Sequence, residues 1–237
     1  MSAPGTGGSR GQRASRRALR DEVYDALLEL LVAGEWESGA QLGIDALATR
    51  LDVSPTPIRE ALVQLESTGL VMRSALRGYK VAPPLDAGAI NELFDARVLL
   101  EVGALRQIPD DAWQELTGTL AASLADQRRQ AELLTGSTDV PSLRAYLAAD
   151  RAFHDAVLAA TGNRYLQQMS GHIGIHGERL RQFVEQRHSD ADLAITEHGA
   201  VLAAIEAGDR EAAVAAMTAH LAGVRERTLR DASAVSR

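Results

Sequence analysis

The sequence from Asp86 to Ala232 repeats apolar residues at helical spacing, and no segment in it alternates apolar and polar residues as a strand would. Glycines, prolines and short polar runs interrupt this pattern at intervals typical of helix ends. They delimit six predicted helices: Asp86–Arg106, Asp110–Thr135, Ser142–Thr161, Arg164–Gln186, Asp190–Ala207 and Asp209–Ala232. This half of the chain is therefore predicted to form an all-α bundle.

The N-terminal part of the chain has a different order of predicted elements. Three helical patterns are followed by two short apolar runs around a turn: Leu19–Ala33, Asp45–Leu51, Pro55–Thr68, Leu70–Arg73 and Tyr79–Val81. A tight connection joins the second helix to the third. Helix, helix, turn, helix and hairpin is the order of a winged helix-turn-helix.

The third of these helices opens with two prolines, Pro55 and Pro57. Both prolines are compatible with a helix if Ser54 is its N-cap. The amides of the first helical turn have no partner inside the helix, so a proline there loses no hydrogen bond. Ser54, Thr56 and Arg59 then lie on or near the opening turn, where hydroxyls, amides and positive charge favour a phosphate. The pattern is typical of a helix that enters a DNA groove, although many helices start this way for stability alone.

Charge is divided unevenly along the chain. Residues 1–85 contain ten basic and ten acidic residues, whereas residues 86–237 contain 15 and 22, so the net charge of −7 belongs to the second part. An acidic total therefore does not exclude nucleic acid as a partner of the first part. With no cysteine, the chain has neither disulfides nor thiolate metal ligands.

We predict four segments from composition and pattern. Residues 1–18 form a basic, disordered leader, with residues 19–82 as the winged helix, 83–87 as a linker and 88–232 as the helical bundle. The leader lacks the apolar core of a secretion signal, and no window has the ~18–20 apolar residues of a membrane span. We therefore expect a cytoplasmic protein without a membrane partner.

Four polar residues of the bundle fall on apolar helix faces. Asp150 and His154 lie on the stripe of Ser142–Thr161, and His198 and His220 lie on the stripes of the last two helices. A buried charge is costly unless it is paired or bound to a cation. Three imidazoles and a carboxylate suit a divalent transition metal: zinc first, with nickel, manganese or iron as alternatives. A purely structural Asp–His network is the other interpretation.

The N-terminal part resembles a known family in the segments VYDALLELLVAGEWESGAQL, DALATRLDVSPTPIREALVQLESTGLV and RGYKV. These are similar to the DNA-binding domain of GntR-family transcription regulators. The resemblance implies that Ser54, Thr56 and Arg59 contact DNA in the major groove and that Arg77 and Gly78 contact it from the wing. The chain departs from the family at Pro55, where arginine is common.

The bundle resembles the FCD domain of the FadR subfamily of GntR regulators, a domain of six or seven helices. The similar residues are Asp150-x-x-x-His154, Glu197-His198, Met217-x-x-His220-Leu, Asn163 after Gly162, and Asp95 to Glu101. In metal-binding members the corresponding positions are the ligands, here Asp150, His154, His198 and His220. The resemblance thus adds a small carboxylate effector to the expected partners.

Three further residues are candidates for binding that effector: Arg97, Asn163 and His176. Arg97 lies on an apolar stripe, where its guanidinium could hold a carboxylate by two hydrogen bonds or instead pair internally with Glu101. His176 and its neighbour His172 could line the same cavity or lie on the surface.

We therefore expect a DNA-binding regulator, a repressor in the usual pattern of the family, and not an enzyme. As a homodimer it would bind a palindromic operator and respond to a small organic acid held at the metal. Two alternatives remain at this stage. The protein could sense the metal directly, or the metal site could activate water as a hydrolase does.

Overall fold

The computed structural model describes residues 8–32, 34–74, 78–135, 140–169 and 188–235. The chain divides into two compact units, Met1–Pro83 and Pro84–Arg237. The division falls between the paired prolines with which the predicted linker begins. Within the described ranges, no helix combines the length and the apolar character that crossing a lipid bilayer requires.

The first unit combines three helices with a small sheet, as a winged helix-turn-helix does. Its elements are α1 (Gly8–Val32), β1 (Gln41–Leu42), α2 (Ile44–Arg50), α3 (Pro55–Ser67), β2 (Val71–Ser74) and β3 (Gly78–Val81). The sheet order is β1-β3-β2, and both pairs are antiparallel, with Leu42 opposite Tyr79 and Met72 opposite Lys80. The predicted winged helix is thereby confirmed.

The core of this unit lies between α1, α3 and the sheet. Leu27 of α1 and Ile58 and Leu62 of α3 are at most 1% exposed, and Val71 and Val81 of the hairpin pack against them. The repeat of apolar residues every three or four positions places these side chains on one face of each helix. That face is covered, so the opposite face of α3 is exposed to solvent.

Two features of this unit differ from the sequence prediction. Helix α1 begins at Gly8, whereas the sequence pattern places its start at Leu19. Residues 8–18 include four arginines and two alanines, which are good helix formers, and residues 1–7 of the predicted leader lie outside the described residues. Strand β1 is also an addition, because two residues are too few to show alternation and only pairing with β3 defines them.

The second unit is entirely helical in the ranges that the structure describes, which confirms a mainly α protein. Its elements are α4 (Ala87–Arg97), a π-helical turn (Val98–Val102), α5 (Gly103–Gln107), a 3-10 turn (Asp110–Ala112), α6 (Trp113–Thr135), α7 (Val140–Ala159), α8 (described over residues 164–169), α9 (His188–Glu206) and α10 (Arg210–Val235). Most of the predicted helix Arg164–Gln186 lies outside the described residues.

Helices α6, α7, α9 and α10 surround the main core. Helix α6 packs against α7 and α9, and α10 packs against α9 and α4. Leu120, Phe153, Val201 and Met217, one from each of these four helices, are 0% exposed. Packing of this kind brings the inner faces of four helices together, and the inward polar residues of the bundle lie on those faces.

The predicted helix Asp86–Arg106 contains an irregularity that its sequence pattern does not show. A π-helical turn at Val98–Val102 separates α4 from α5. Arg97 and Glu101, at this turn, are both buried, with 8% and 4% of their surfaces exposed. Single π-helical turns are frequent at functional sites, and this one positions the charged side chains of Arg97 and Glu101.

Candidate DNA-facing helix and histidine centre

Helix α3 presents a polar face to solvent. Its buried residues are Pro57, Ile58, Ala61, Leu62 and Leu65. The exposed ones recur at the complementary spacing: Thr56, Arg59, Glu60, Val63, Gln64 and Ser67. Hydroxyl, guanidinium, carboxamide and aliphatic groups on one face are the groups with which helices contact base edges in the major groove. The 3.6-residue period identifies this face from sequence alone.

The residues predicted to contact DNA are accessible where the structure describes them. Ser54, Thr56 and Arg59 are exposed. Ser54 has the extended backbone of an N-cap, but its side chain makes no capping hydrogen bond, so the predicted cap is formed by its backbone alone. Gly78 is exposed at the start of β3 with φ of 82°, a conformation that favours glycine. Arg77 lies outside the described residues.

Three buried histidines converge in the centre of the bundle. His154 of α7, His198 of α9 and His220 of α10 are 6%, 0% and 1% exposed. Nε2 of His198 lies 3.3 Å from Nε2 of His154 and 3.2 Å from Nε2 of His220. One ring nitrogen from each residue therefore lies within 4.8 Å of the other two. Three of the four ligands predicted from the sequence meet at a common point.

Each imidazole is held from behind by an acceptor. Nδ1 of His154 lies 2.6 Å from Oε2 of Glu101, and Nδ1 of His220 lies 2.8 Å from Oε2 of Glu197. Carboxylates can only accept, so these Nδ1 atoms carry the protons and donate them. With the proton on Nδ1, a neutral ring directs the lone pair of its Nε2 atom inward.

The third imidazole has the same arrangement through an amide. Nδ1 of His198 lies 2.7 Å from Oε1 of Gln127, and Nε2 of Gln127 donates to Oδ1 of Asp150 at 3.0 Å. The carboxylate of Asp150 thereby sets the orientation of the amide, whose oxygen is left to accept from His198. Phe153 stacks on the His198 ring at 4.1 Å between centroids and limits its rotation.

Electrostatics favour the neutral form of two of these imidazoles, those of His198 and His220. Burial, together with the imidazoles of His220 and His154, holds the pKa of His198 well below its ordinary value of 6.5. Burial also lowers the pKa of His220, because its hydrogen bond to Glu197 offsets only part of that cost. Neutral imidazole is the form that binds metals.

The two glutamates behind the histidines are ionised. Burial alone would raise the pKa of Glu101, but Arg97 and His154 outweigh it and hold that pKa far below its usual range. Burial likewise opposes ionisation of Glu197, yet hydrogen bonds from Arg227 and His220 lower its pKa to about 2. Anionic acceptors behind metal-binding imidazoles fix the tautomer and increase the basicity of the ring.

The donor set fits a divalent transition metal. Tetrahedral coordination with zinc–nitrogen bonds of ~2.0–2.1 Å separates two nitrogen ligands by roughly 3.3 Å. The two Nε2–Nε2 distances, 3.3 and 3.2 Å, match that value. Lone pairs at such distances repel one another unless a cation or a proton lies between them. The geometry is thus the one that a metal ion would stabilise.

The predicted fourth ligand, Asp150, lies beside this cluster and not within it. It is 4% exposed, and it lines a cavity together with His220 and Arg97. The group of metal-ligating atoms found among the described residues contains the three histidines without Asp150. A direct role for Asp150 at the metal stays a prediction, whereas its hydrogen bond to Gln127 is present.

Arg97 forms the internal ion pair that was one of its two predicted roles. Its Nε donates to Oε1 of Glu101 at 2.8 Å, and the guanidinium lies over the ring of Phe94. Within the part of the chain that the structure describes, its two terminal nitrogens donate to no other residue, and Arg97 lines the cavity. The pairing therefore leaves the outer edge of the guanidinium available for a carboxylate.

The other two predicted effector residues do not join this site. Asn163 is exposed, and its side-chain oxygen accepts from the amides of Tyr165 and Leu166, which makes it the cap of α8. It is not among the described residues that line the cavity, and its role in binding an effector stays a prediction. His176, like His172, lies outside the described residues.

Sequence reasoning missed Gln127 and the roles of Glu101 and Glu197. Gln127 lies on the apolar stripe of α6, three residues after Leu124 and four before Ala131, and is 0% exposed. A glutamine at that spacing could have been predicted from the sequence to point inward. The glutamates are harder to predict as site residues, because only the packing of helices far apart in sequence brings them to the histidines.

The fold and the site define a winged-helix protein with a helical bundle built around buried histidines. Two family descriptions match the chain: "Bacterial regulatory proteins, gntR family" over residues 19–81 and "FCD domain" over residues 92–223. The chain belongs to the GntR regulators that carry an FCD domain. It is a DNA-binding transcription regulator and not an enzyme, which removes the hydrolase alternative.

Individual relatives agree with this assignment. The chain is 28% identical over 213 residues to the uncharacterized HTH-type transcriptional regulator BphR of Paraburkholderia xenovorans (88% of this chain, 84% of the relative). It is 27% identical over 206 residues to the HTH-type transcriptional repressor GlaR of Escherichia coli (84% and 90%). A crystal structure of a GntR regulator from Rhodococcus sp. RHA1 has the same fold, with TM-score 0.71, 20% identity, and coverage of 90% and 98%.

Proposed function

We propose that this regulator is a repressor whose operator affinity is controlled by a small organic acid bound at a metal site in the second unit. The observation that carries the proposal is the convergence of three Nε2 atoms, each with an acceptor at the Nδ1 atom on the other side of its ring. His154, His198 and His220 would hold the ion, with Asp150 as the fourth ligand.

Arg97 is the residue that we assign to the acid. Arg97 lines the cavity and uses its Nε atom to bind Glu101, and a guanidinium beside a metal ion favours a carboxylate by both charge and geometry. A bound metal would supply a second positive centre for the same carboxylate. Our assignment to the FadR subfamily belongs to this proposal, since metal and acid together are what the resemblance implies.

On DNA, we propose that a homodimer binds a palindromic operator with half-sites separated by about one helical turn, ~34–36 Å. Ser54, Thr56 and Arg59 would lie in the major groove, and Arg77 and Gly78 of the wing would contact the phosphate backbone or minor groove. Because the target is DNA, we expect the protein in the cytoplasm. Regulation requires that the acid bind DNA-competent and incompetent forms with unequal affinity.

The test begins with the metal. Elemental analysis of the purified protein should find close to one transition-metal ion per chain, and the His198→Ala variant should contain far less. An operator sequence can be selected from random duplexes and its affinity measured by fluorescence anisotropy at constant salt. Adding an acid to the metal-loaded protein should lower that affinity. Absence of metal in the wild-type protein would overturn the proposal.

The same titration separates the direct metal sensor, the alternative that remains. If zinc alone changes operator affinity by a large factor and no acid changes it further, the metal is the signal. The Arg97→Gln variant sharpens the comparison. It should lose the response to an acid while it retains the metal, whereas a direct sensor would be indifferent to this substitution.

A further inference from the structure

The cavity beside the histidine centre is lined by both polar and apolar side chains. Arg97, Asp150 and His220 are buried polar residues of this lining, and Asp190, Arg227, Thr228 and Asp231 also belong to it. Leu143 and Leu147 of α7, Ala191 of α9 and Val224 of α10 contribute apolar wall. A site of this shape accepts a ligand with a polar head and an apolar body.

The apolar wall is separate from the main core of the bundle. Leu143 and Leu147 belong to a second, smaller cluster around Leu134, Tyr146 and Ala191. Both leucines are only partly buried, and they line the cavity. Covering such side chains with the body of a ligand would remove apolar surface from water, which is favourable in proportion to the area covered.

The charges around the cavity admit one carboxylate and oppose a second. Asp150, Asp190 and Asp231 all line it. The other arginine of the lining, Arg227, is already neutralised by Glu197, with its two terminal nitrogens each 2.8 Å from a carboxylate oxygen. Arg97 pairs with Glu101 through Nε, so among the described lining residues it is the arginine whose terminal nitrogens are not taken up by a carboxylate. A second carboxylate would meet acidic side chains.

Hydroxyl groups would also be poorly accommodated along the apolar wall. A hydroxyl placed against the side chains of Leu143, Leu147 or Val224 would lose its hydrogen bonds to water, which costs free energy unless it reaches a polar lining residue such as Thr228. Sugar acids carry several such groups. Against the leucine and valine side chains, an apolar body is therefore favoured over a hydroxylated one, and the acidic lining residues oppose dicarboxylates and tricarboxylates.

We infer that the effector is a monocarboxylic acid with an apolar body, whose carboxylate lies at Arg97 and whose body lies against the wall of Leu143, Leu147, Ala191 and Val224. This inference rests on the proposed function, because it specifies the class of acid that the same site takes. Leu147 is accordingly a specificity-determining residue that touches the body and not the carboxylate.

The test uses the full-length protein, loaded with one equivalent of zinc, in calorimetric titrations and thermal-shift measurements. The probes are acetate, butanoate, hexanoate and 3-phenylpropanoate on one side, and succinate, citrate and gluconate on the other. Affinity should rise from acetate to hexanoate by about fourfold for each methylene group buried, the ratio given by methylene transfer. Succinate, citrate and gluconate should bind more weakly than hexanoate.

Variants then locate the two ends of the ligand. Leu147→Gln should weaken the binding of hexanoate by about tenfold and leave the binding of acetate unchanged. Arg97→Gln should weaken the binding of both acids. Leu133→Gln is the matched control, because Leu133 is 59% exposed and does not line the cavity. If Leu147→Gln fails to fold, Leu143→Gln takes its place. Equal loss of acetate and hexanoate in the wall variant would overturn the inference.

The possible failures are distinguishable. If succinate, citrate or gluconate binds and the apolar monocarboxylates do not, the inferred class is wrong while a metal-assisted acid site stands. If none of the seven acids shifts the melting temperature or gives binding heat, both the inference and the proposed function fall. Hexanoate binding that persists in Arg97→Gln would show non-specific uptake by apolar surface and would also overturn the inference.

Discussion

His154 and Glu101 lie 53 positions apart in the sequence, yet Nδ1 of the histidine is 2.6 Å from Oε2 of the glutamate in the buried centre of the bundle. The other oxygen of Glu101 accepts from Nε of Arg97 at 2.8 Å. One carboxylate therefore connects the candidate metal ligand to the candidate effector residue. Removing it should disturb both.

Glu101→Ala should lower zinc affinity by roughly 10- to 100-fold, the usual effect of losing an outer partner of a ligating histidine. Glu101→Gln should lower zinc affinity by a smaller factor, since its amide oxygen can still accept a hydrogen bond from His154. Competition with a chromophoric chelator measures both affinities. Glu92→Gln, on the exposed surface of α4, is the control and should bind zinc as the wild type does.

Gly223 makes room for the ion pair behind His220. A Cβ atom there would lie 2.9 Å from Oε1 of Glu197 and 3.0 Å from Nη1 of Arg227, so the ends of these two side chains would have to shift. Gly223→Ala should therefore displace the pair and weaken zinc binding by about tenfold. Replacing glycine by alanine inside a helix ordinarily raises the free energy of unfolding by about 1 kcal/mol, and Gly223→Ala should not show this gain.

Gly118 provides the matched control for that substitution. It lies within α6, is exposed, and has no atom within 4 Å of the position of an added Cβ. Gly118→Ala should raise the free energy of unfolding by up to about 1 kcal/mol and leave zinc affinity unchanged. Chemical denaturation and chelator competition measure the two quantities. Equal behaviour of the two alanine variants would contradict the role given to Gly223.

The metal-free second unit should lose stability as the pH falls below about 6.5. Burial lowers the pKa of His198 and His220 in the folded state, so the unfolded chain binds more protons in this range. Stability then rises with pH and is lost on acidification. Hydrogen exchange at pH 7.5 and 5.5, with chelator present, measures it for each unit separately.

The first unit is the internal control for this pH dependence. All six histidines of the chain lie in the second unit, so protection in the winged helix should change little between the two pH values. Glu197, with its pKa near 2, stays ionised throughout the range and does not contribute. An equal loss of protection in both units would contradict the assignment to the buried histidines.

Arg59→Ala should weaken operator binding by about 1–3 kcal/mol, with relaxed preference at one base pair if the guanidinium contacts a base. If it contacts a phosphate instead, the loss of affinity should be the same for all sequences. The slope of log affinity against log salt concentration should then fall in magnitude by about one. Fluorescence anisotropy over a salt series distinguishes the two. Arg106→Ala, exposed in the second unit, should leave binding unchanged.

The sequence alone was sufficient for the winged helix and for the inward direction of four polar residues in the bundle. Both follow from local rules: apolar residues every three or four positions define a helix face, and prolines and glycines mark its ends. Asp150, His154, His198 and His220 interrupt such faces, and all four are buried.

The tertiary structure decided how those residues are used. Gln127 orients His198, Glu101 and Glu197 orient the other two imidazoles, and Asp150 holds Gln127 beside the cluster. These contacts join residues up to 71 positions apart. Periodicity states which face of a helix turns inward, but the partner across the core depends on how helices pack against one another, and no local rule contains that information.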